Sequence, residues 1–266
     1  MAQHGDRARR PPVRYGRPVN HGVVLVTGGS RGIGAAIAQQ VAAAGPAVCL
    51  TYRNDQAAAA SVVAGIEAAG GTAAAVRADV AVEADILAAF AAADAMGSVT
   101  ALVANAAIGA TQARLDEVTA ERVQRILAVN VLGPILCCRE AVRRLSTRHG
   151  GPGGSIVLIS SAASRLGAPG EYVDYAASKG AVDTLGLGLA REVAGEGIRV
   201  NVVRPGIIET DFHARGGQPD RAARLGPGVP IGRAGRAGEI AAAVRWLLSD
   251  EASYCTGSVL DVAGGR

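Results

Sequence analysis

From residue 22 onward, short apolar runs alternate with longer alanine-rich stretches, and glycine-bearing turns separate many of them. The first run, VVLVT (23–27), is apolar at nearly every position, the pattern of a strand covered on both faces. It is followed by GAAIAQQVAAAG (34–45), which reads as a helix stopped by Gly45. Further strands are predicted at 47–52, 73–80, 101–106, 155–161, 198–205 and 258–264, and helices at 55–69, 83–96, 117–147, 175–194 and 237–249. Seven strands alternating with six helices predict an α/β protein with a single doubly wound, Rossmann-type parallel sheet and helices on both faces. No linker-like break or internal repeat divides 21–266, which reads as one catalytic domain. The long irregular piece, 206–236, is rich in Gly, Arg and Pro and reads as a lid or binding loop.

Composition narrows the class. Hydrophobic residues make up 49% of the 266 positions and aromatics only 3%, so the core is expected from Ala, Val, Leu and Ile. No apolar run reaches the length of a membrane span and no signal-peptide core is present, so a cytoplasmic protein without a membrane partner is expected. The cysteines, Cys49, Cys137, Cys138 and Cys255, lack metal-ligand spacing, so no metal is expected and they read as small hydrophobes in a reducing compartment. The net charge of +4 comes from residues 1–20, where five arginines face Asp6. That arm reads as disordered and solvated; the rest of the chain nets zero, which argues against a nucleic-acid partner.

The stretch TGGSRGIG (27–34) joins the first strand to the first helix. Free backbone N–H groups and the helix dipole favour an anion there, and glycine lets the chain turn tightly beside a pyrophosphate. Gly28, Ser30, Arg31, Gly32, Ile33 and Gly34 are therefore candidate dinucleotide contacts, although Gly28-x-x-x-Gly32-x-Gly34 departs from the G-x-G-x-x-G spacing. The second strand ends in TYRND, with Tyr52 where an NAD site places an acid. Arg53 and Arg31 suit a 2′-phosphate, and Asp55 falls in the next helix cap, so NADP(H) is the expected cofactor.

These residues, with ADV (78–80), ANAA (104–107), NVLG (130–133), ISS (159–161), YAASK (175–179) and RPGIIET (204–210), resemble the short-chain dehydrogenases/reductases. The resemblance covers 22–266 and is closest to a bacterial branch of NADP-dependent glucose/ribitol-type oxidoreductases. It implies a Ser161, Tyr175, Lys179 and Asn130 site interconverting a ketone or aldehyde and an alcohol, with a small polyol, sugar or diketone as substrate. Ser161 would orient the substrate oxygen toward Tyr175. Ser160 and Ser164 compete for that role, because Ser161 precedes the tyrosine by fourteen residues where the family usually has about thirteen; the extra residue is placed in 165–174. Tyr172 has no lysine four residues on and reads as a decoy. Asn130 would kink its helix and hold a water to Lys179, which would also bind the nicotinamide ribose. Asp79 and Val80 would edge the adenine, Asn105 and Ala106 the ribose, and Pro205, Gly206, Ile208 and Thr210 the nicotinamide. The family usually has Asn-Asn-Ala-Gly at 104–107, a departure that bears on sheet packing and cofactor affinity.

Lys179 is the one lysine among 27 basic residues. Four residues from Tyr175, it shares a helix face with it. A cation at ~4 Å in an effective dielectric of 20 is worth about 4 kcal/mol, enough to lower a phenol pKa by roughly three units. Arginine holds its proton too firmly for such a relay. One rival reading is a 3-oxoacyl-acyl-carrier-protein reductase, although Glu196 sits where such reductases present a basic docking residue. A second is a non-enzymatic NADP-binding redox sensor. The resemblance also implies a homotetramer built through the helices at 117–147 and 175–194 and the last strand. His213 is a candidate pocket residue.

Overall fold

The computed structural model describes residues 22–266, with the side chains of His213 and Arg215 excepted. The basic arm and the expectation about His213 fall outside what is described. In chain order the elements are β1 (Val23–Val26), α1 (Gly32–Ala42), β2 (Ala47–Tyr52), α2 (Gln56–Ala68), β3 (Ala73–Arg77), α3 (Glu83–Met96), β4 (Val99–Ala104), α4 (Ala120–Leu127), α5 (Gly133–Leu145), β5 (Gly154–Ile159), α6 (Ala163–Leu166), α7 (Val173–Val193), β6 (Ile198–Pro205), β7 (Ile208–Glu209), α8 (Phe212–Arg215), α9 (Arg221–Leu225), β8 (Gly235–Arg236), α10 (Ala237–Leu248) and β9 (Val259–Val262).

Seven strands form one parallel sheet in the order β3-β2-β1-β4-β5-β6-β9. Alternate residues of each strand feed two cores on opposite faces. In β1, Val23 and Leu25 pack toward α3, α5 and α7, while Val24 and Val26 pack toward α1, α2 and α10. This two-sided burial is what the continuous apolar runs encode. The chain reverses its winding between β1 and β4, and loops from the carboxyl ends of the strands enclose a cleft beside that reversal.

Two expectations change. The helix predicted over 117–147 is two helices joined by a π turn, Ala128–Leu132, with a separate 3₁₀ turn at Leu115–Glu117 ahead of them. Periodicity did not distinguish the π turn, because one extra residue per turn leaves the apolar stripe nearly continuous. The stretch 206–236 is also more ordered than expected. It holds α8 and α9, and its ends are tied by the short parallel pair Ile208–Gly235 and Glu209–Arg236.

Candidate active site

The cleft has a volume of about 440 Å³ and is lined from the carboxyl ends of β1 to β6 and from the first two turns of α7. Every cofactor contact expected from the sequence lines it: the glycine-turn residues, Arg53, Asp79, Val80, Asn105, Ala106, Pro205, Gly206, Ile208, Thr210, Tyr175 and Lys179. Ser161 lines it as well, whereas Asn130 lies wholly buried behind it.

The glycine turn is built as a cradle. Gly28 and Gly32 take positive φ, +65° and +53°. A Cβ on Gly34 would fall 2.2 Å from the Gly28 carbonyl oxygen, so only glycine lets α1 start so close to the turn. No side chain among the described residues caps the N-terminus of α1, which leaves its first N–H groups to an anion. Asn105 braces the turn by donating from Nδ2 to the carbonyls of Thr27 and Gly28 at 2.9 and 3.0 Å, and the Thr27 hydroxyl accepts from the N–H groups of Asn105 and Ala106. The asparagine that ANAA retains is thus the one that holds the turn, while Ala104 is buried in the sheet. The residues fit a dinucleotide pyrophosphate.

At the far end of the cleft, Arg31 and Arg53 flank the end of β2. Each faces a carboxylate, Arg31 with Asp55 at 3.7 Å and Arg53 with Asp79 at 3.6 Å. Asp55 caps α2 through the Ala58 N–H, as expected. Arg125, on α4 and missed by sequence reasoning, binds Asp79 at 2.8 Å. Burial opposes the charge on Asp79, but the hydrogen bond from Arg125 and the nearby guanidiniums hold its carboxyl below the usual range.

At the other end stand the catalytic candidates. Asp174 fixes the start of α7: it accepts a forked pair of bonds from Arg122 of α4, at 2.8 and 3.1 Å, and one from the Tyr175 N–H. Lys179 is 3% exposed and donates from Nζ to the Ile159 carbonyl at the end of β5, 2.8 Å away. Burial lowers its pKa to about 8, partly offset by Asp183 one turn on, so the amine still carries its proton at neutral pH.

The expected lowering of the Tyr175 pKa is not found. Burial pushes that phenol above its ordinary value, and the Ser161 hydroxyl beside it pulls only partly the other way. Lys179 Nζ lies 5.8 Å from the Tyr175 ring centroid and is held by Ile159, so its charge does not outweigh desolvation. The same geometry separates the three serines. Ser160 donates to the Lys179 carbonyl at 3.1 Å and Ser164 to the Ser161 carbonyl at 2.8 Å, which leaves Ser161 as the serine beside the phenol.

Asn130 sits at the centre of the π turn. Its Oδ1 accepts from the Ile108 N–H at 2.9 Å, and its Nδ2 donates to the Ile108 carbonyl at 2.9 Å and to Ser178 Oγ at 3.1 Å. It therefore clamps the loop after β4 to α7. Tyr172, set aside in the sequence as a decoy, lines the cleft with its ring 5.8 Å from and perpendicular to that of Tyr175; Phe212 stands on another side at 5.8 Å. Glu171 and Arg221, also missed, line the same end. Their motif-free sequence context gave no signal. Glu196, by contrast, lies elsewhere and accepts from Ser146 Oγ.

A glycine cradle, a cationic far end and a buried Tyr/Lys pair beside a serine, all on the carboxyl edge of a doubly wound sheet, define a dinucleotide-binding oxidoreductase fold. The sequence model of the family described as enoyl-(acyl carrier protein) reductase matches residues 28–266. The chain is 53% identical over 245 residues to the uncharacterized oxidoreductase YgfF of Escherichia coli (strain K12), covering 92% of this chain and 99% of that one. It is 40% identical to 3beta-hydroxysteroid dehydrogenase 1 of Eggerthella lenta over 244 residues, and 34% identical to glucose 1-dehydrogenase 2 of Bacillus subtilis over 242; each match covers 91% of this chain, and 92% and 93% of the relatives. A short-chain dehydrogenase from Burkholderia cenocepacia J2315 in complex with NADP superposes with a TM-score of 0.84 at 35% identity, covering 94% of this chain and 99% of that one. The chain belongs to the short-chain dehydrogenase/reductase family and is an oxidoreductase.

Proposed function

We propose that the protein is an NADP(H)-dependent carbonyl reductase/alcohol dehydrogenase in which Ser161, Tyr175 and Lys179 act on the substrate oxygen. The observation that carries the reading is the buried Tyr175–Lys179 pair with Ser161 beside it, lining the same cleft as the glycine cradle and Arg31 and Arg53. The bound nicotinamide would supply or accept the hydride. Ser161 would donate a hydrogen bond to the carbonyl oxygen, and Tyr175 would deliver the proton that balances the hydride added to carbon. A phenol held neutral by burial is suited to that donation. Lys179, protonated at neutral pH, would restore the phenol's proton and hold the ribose, while Asn130 keeps α7 and the loop after β4 in register.

Arginine rather than an acid after β2, together with the NADP complex of the Burkholderia relative, supports NADP(H) over NAD(H). By their names, the relatives act on a steroid and on glucose, so the substrate must be sought in the cleft itself. The serine assignment is tested by paired variants. Ser161→Ala is expected to lower kcat/KM by about 100-fold or more. Ser160→Ala is expected to cost only about 1 kcal/mol of stability and leave turnover within several-fold. Equal losses of turnover in the two would refute the assignment.

A further inference from the structure

Tyr175, Lys179 and Asp183 follow one another at four-residue intervals on α7 and so share one face of that helix. All three are buried, Asp183 at 6% exposure. A buried aspartate needs a cation, and Arg204 at the end of β6 supplies it, donating to Oδ2 from Nε at 3.0 Å and from Nη2 at 2.8 Å. Oδ1 is buried as well and has no hydrogen-bond partner among the described residues. An unpaired buried acceptor is costly, which calls for a role beyond tying α7 to β6. Arg204 is also shared: its Nη1 lies 3.7 Å from Asp261 on β9, which Arg165 of α6 faces at 3.8 Å. A guanidinium divided between two carboxylates leaves Asp183 part of its field to exert on Lys179.

The other charged and titratable groups on or against α7 are spent elsewhere. Arg122 of α4 is bound to Asp174 at the start of the helix. On α5, burial raises Cys137 and Cys138 and keeps them neutral, and Glu140 is held by Arg139, Arg143 and Arg144. Arg199 of β6 binds carbonyls at the end of α10, and Glu196 accepts from Ser146. Arg191 and Glu192 are exposed. From β5, Lys179 meets only the Ile159 carbonyl and, through its own carbonyl, the Ser160 hydroxyl. Asp183 is the carboxylate whose charge works against burial at Lys179.

We propose that Asp183, tempered by Arg204, is a positioning residue that keeps Lys179 in its charged form. For its part in catalysis the inference rests on the carbonyl-reductase reading, in which the ammonium restores the proton that Tyr175 gives up. Neither residue touches the reacting atoms. Asp183 acts through Lys179, and Arg204 acts through Asp183.

The test reads the single lysine directly, by NMR of the Nζ-labelled protein, and in parallel the pH profile of NADPH-dependent carbonyl reduction, in wild type, Asp183→Asn and Arg204→Gln. Asp183→Asn removes a negative charge, so the Lys179 midpoint should fall from about 8 by about one pH unit, and the alkaline limb of reduction should move down with it. Arg204→Gln removes the opposing positive charge and should move both upward. Opposite shifts distinguish the pair from a mere tie, which would lower the denaturation midpoint of both variants and leave Lys179 where it was. An unmoved Lys179 midpoint in either folded variant would overturn the inference. So would shifts of the same sign in both, or a reduction limb that stays put while the midpoint moves. A wild type that reduces no carbonyl, with both midpoints moving as expected, would strike the carbonyl-reductase reading and uphold the control of Lys179 by Asp183 and Arg204.

Discussion

Lys179 has a backbone carbonyl in front of it, a phenol ring to one side and a carboxylate one turn away. A guanidinium would meet that carbonyl with a planar fork and keep its proton at any working pH, whereas this amine titrates near 8. The consequence is measurable without interference, because the chain has no other lysine. Lysine labelled at Nζ should give one side-chain NMR signal with a midpoint at about 8; a midpoint near 10.5 would contradict the burial argument. Since reduction draws on the ammonium, its rate should be flat below about pH 8 and fall above it, and the oxidation of alcohols should rise over the same interval. YAASK made Tyr175 and Lys179 legible in the sequence. The direction of the Tyr175 shift was not, because spacing gives proximity along a helix but not the burial that dominates the phenol.

At the scale of elements, the site depends on how α4, the π turn and α7 are fastened together. Asn130 makes three hydrogen bonds there and Arg122 grips Asp174. Asn130→Ala would strip the Ile108 backbone of both its side-chain partners, and is expected to cost about 2–4 kcal/mol in chemical denaturation. A loss below about 0.5 kcal/mol would mean that the turn is held by packing alone. The strands were readable because a buried parallel strand leaves an uninterrupted apolar run. The π turn and the lid helices were not: the first keeps the helical stripe, and α8 and α9, four and five residues long, are too short to show a period. Glu171, Tyr172 and Arg221 were missed for a related reason. Their grouping arises from a contact across 50 positions, between Glu171 and Arg221, which no local pattern announces.

For the whole molecule, the outer surface of the helices behind the site carries exposed apolar side chains: Leu127, Leu132 and Ile135 around the π turn and α5, and Leu187 on α7. These lie on the helices through which the family resemblance implies a tetramer, and we expect four subunits per particle in light scattering, with a monomer as the contrary result. No helix among the described residues is long and apolar enough to cross a membrane. Thiol chemistry is unsuited to the site: burial raises Cys49 to about 11 and Cys137 to about 12, and neither lines the cleft. The account comes down to hydride exchange between NADP(H) and a carbonyl, with Tyr175 moving the proton. The most direct test is kcat/KM for NADPH and for NADH with a carbonyl substrate, in wild type and in Tyr175→Phe. The account predicts a preference for NADPH of ~10-fold or more in wild type, and a loss of about 1000-fold in the variant even at saturating NADPH. Equal use of the two cofactors, or a Tyr175→Phe enzyme that still turns over, would contradict it.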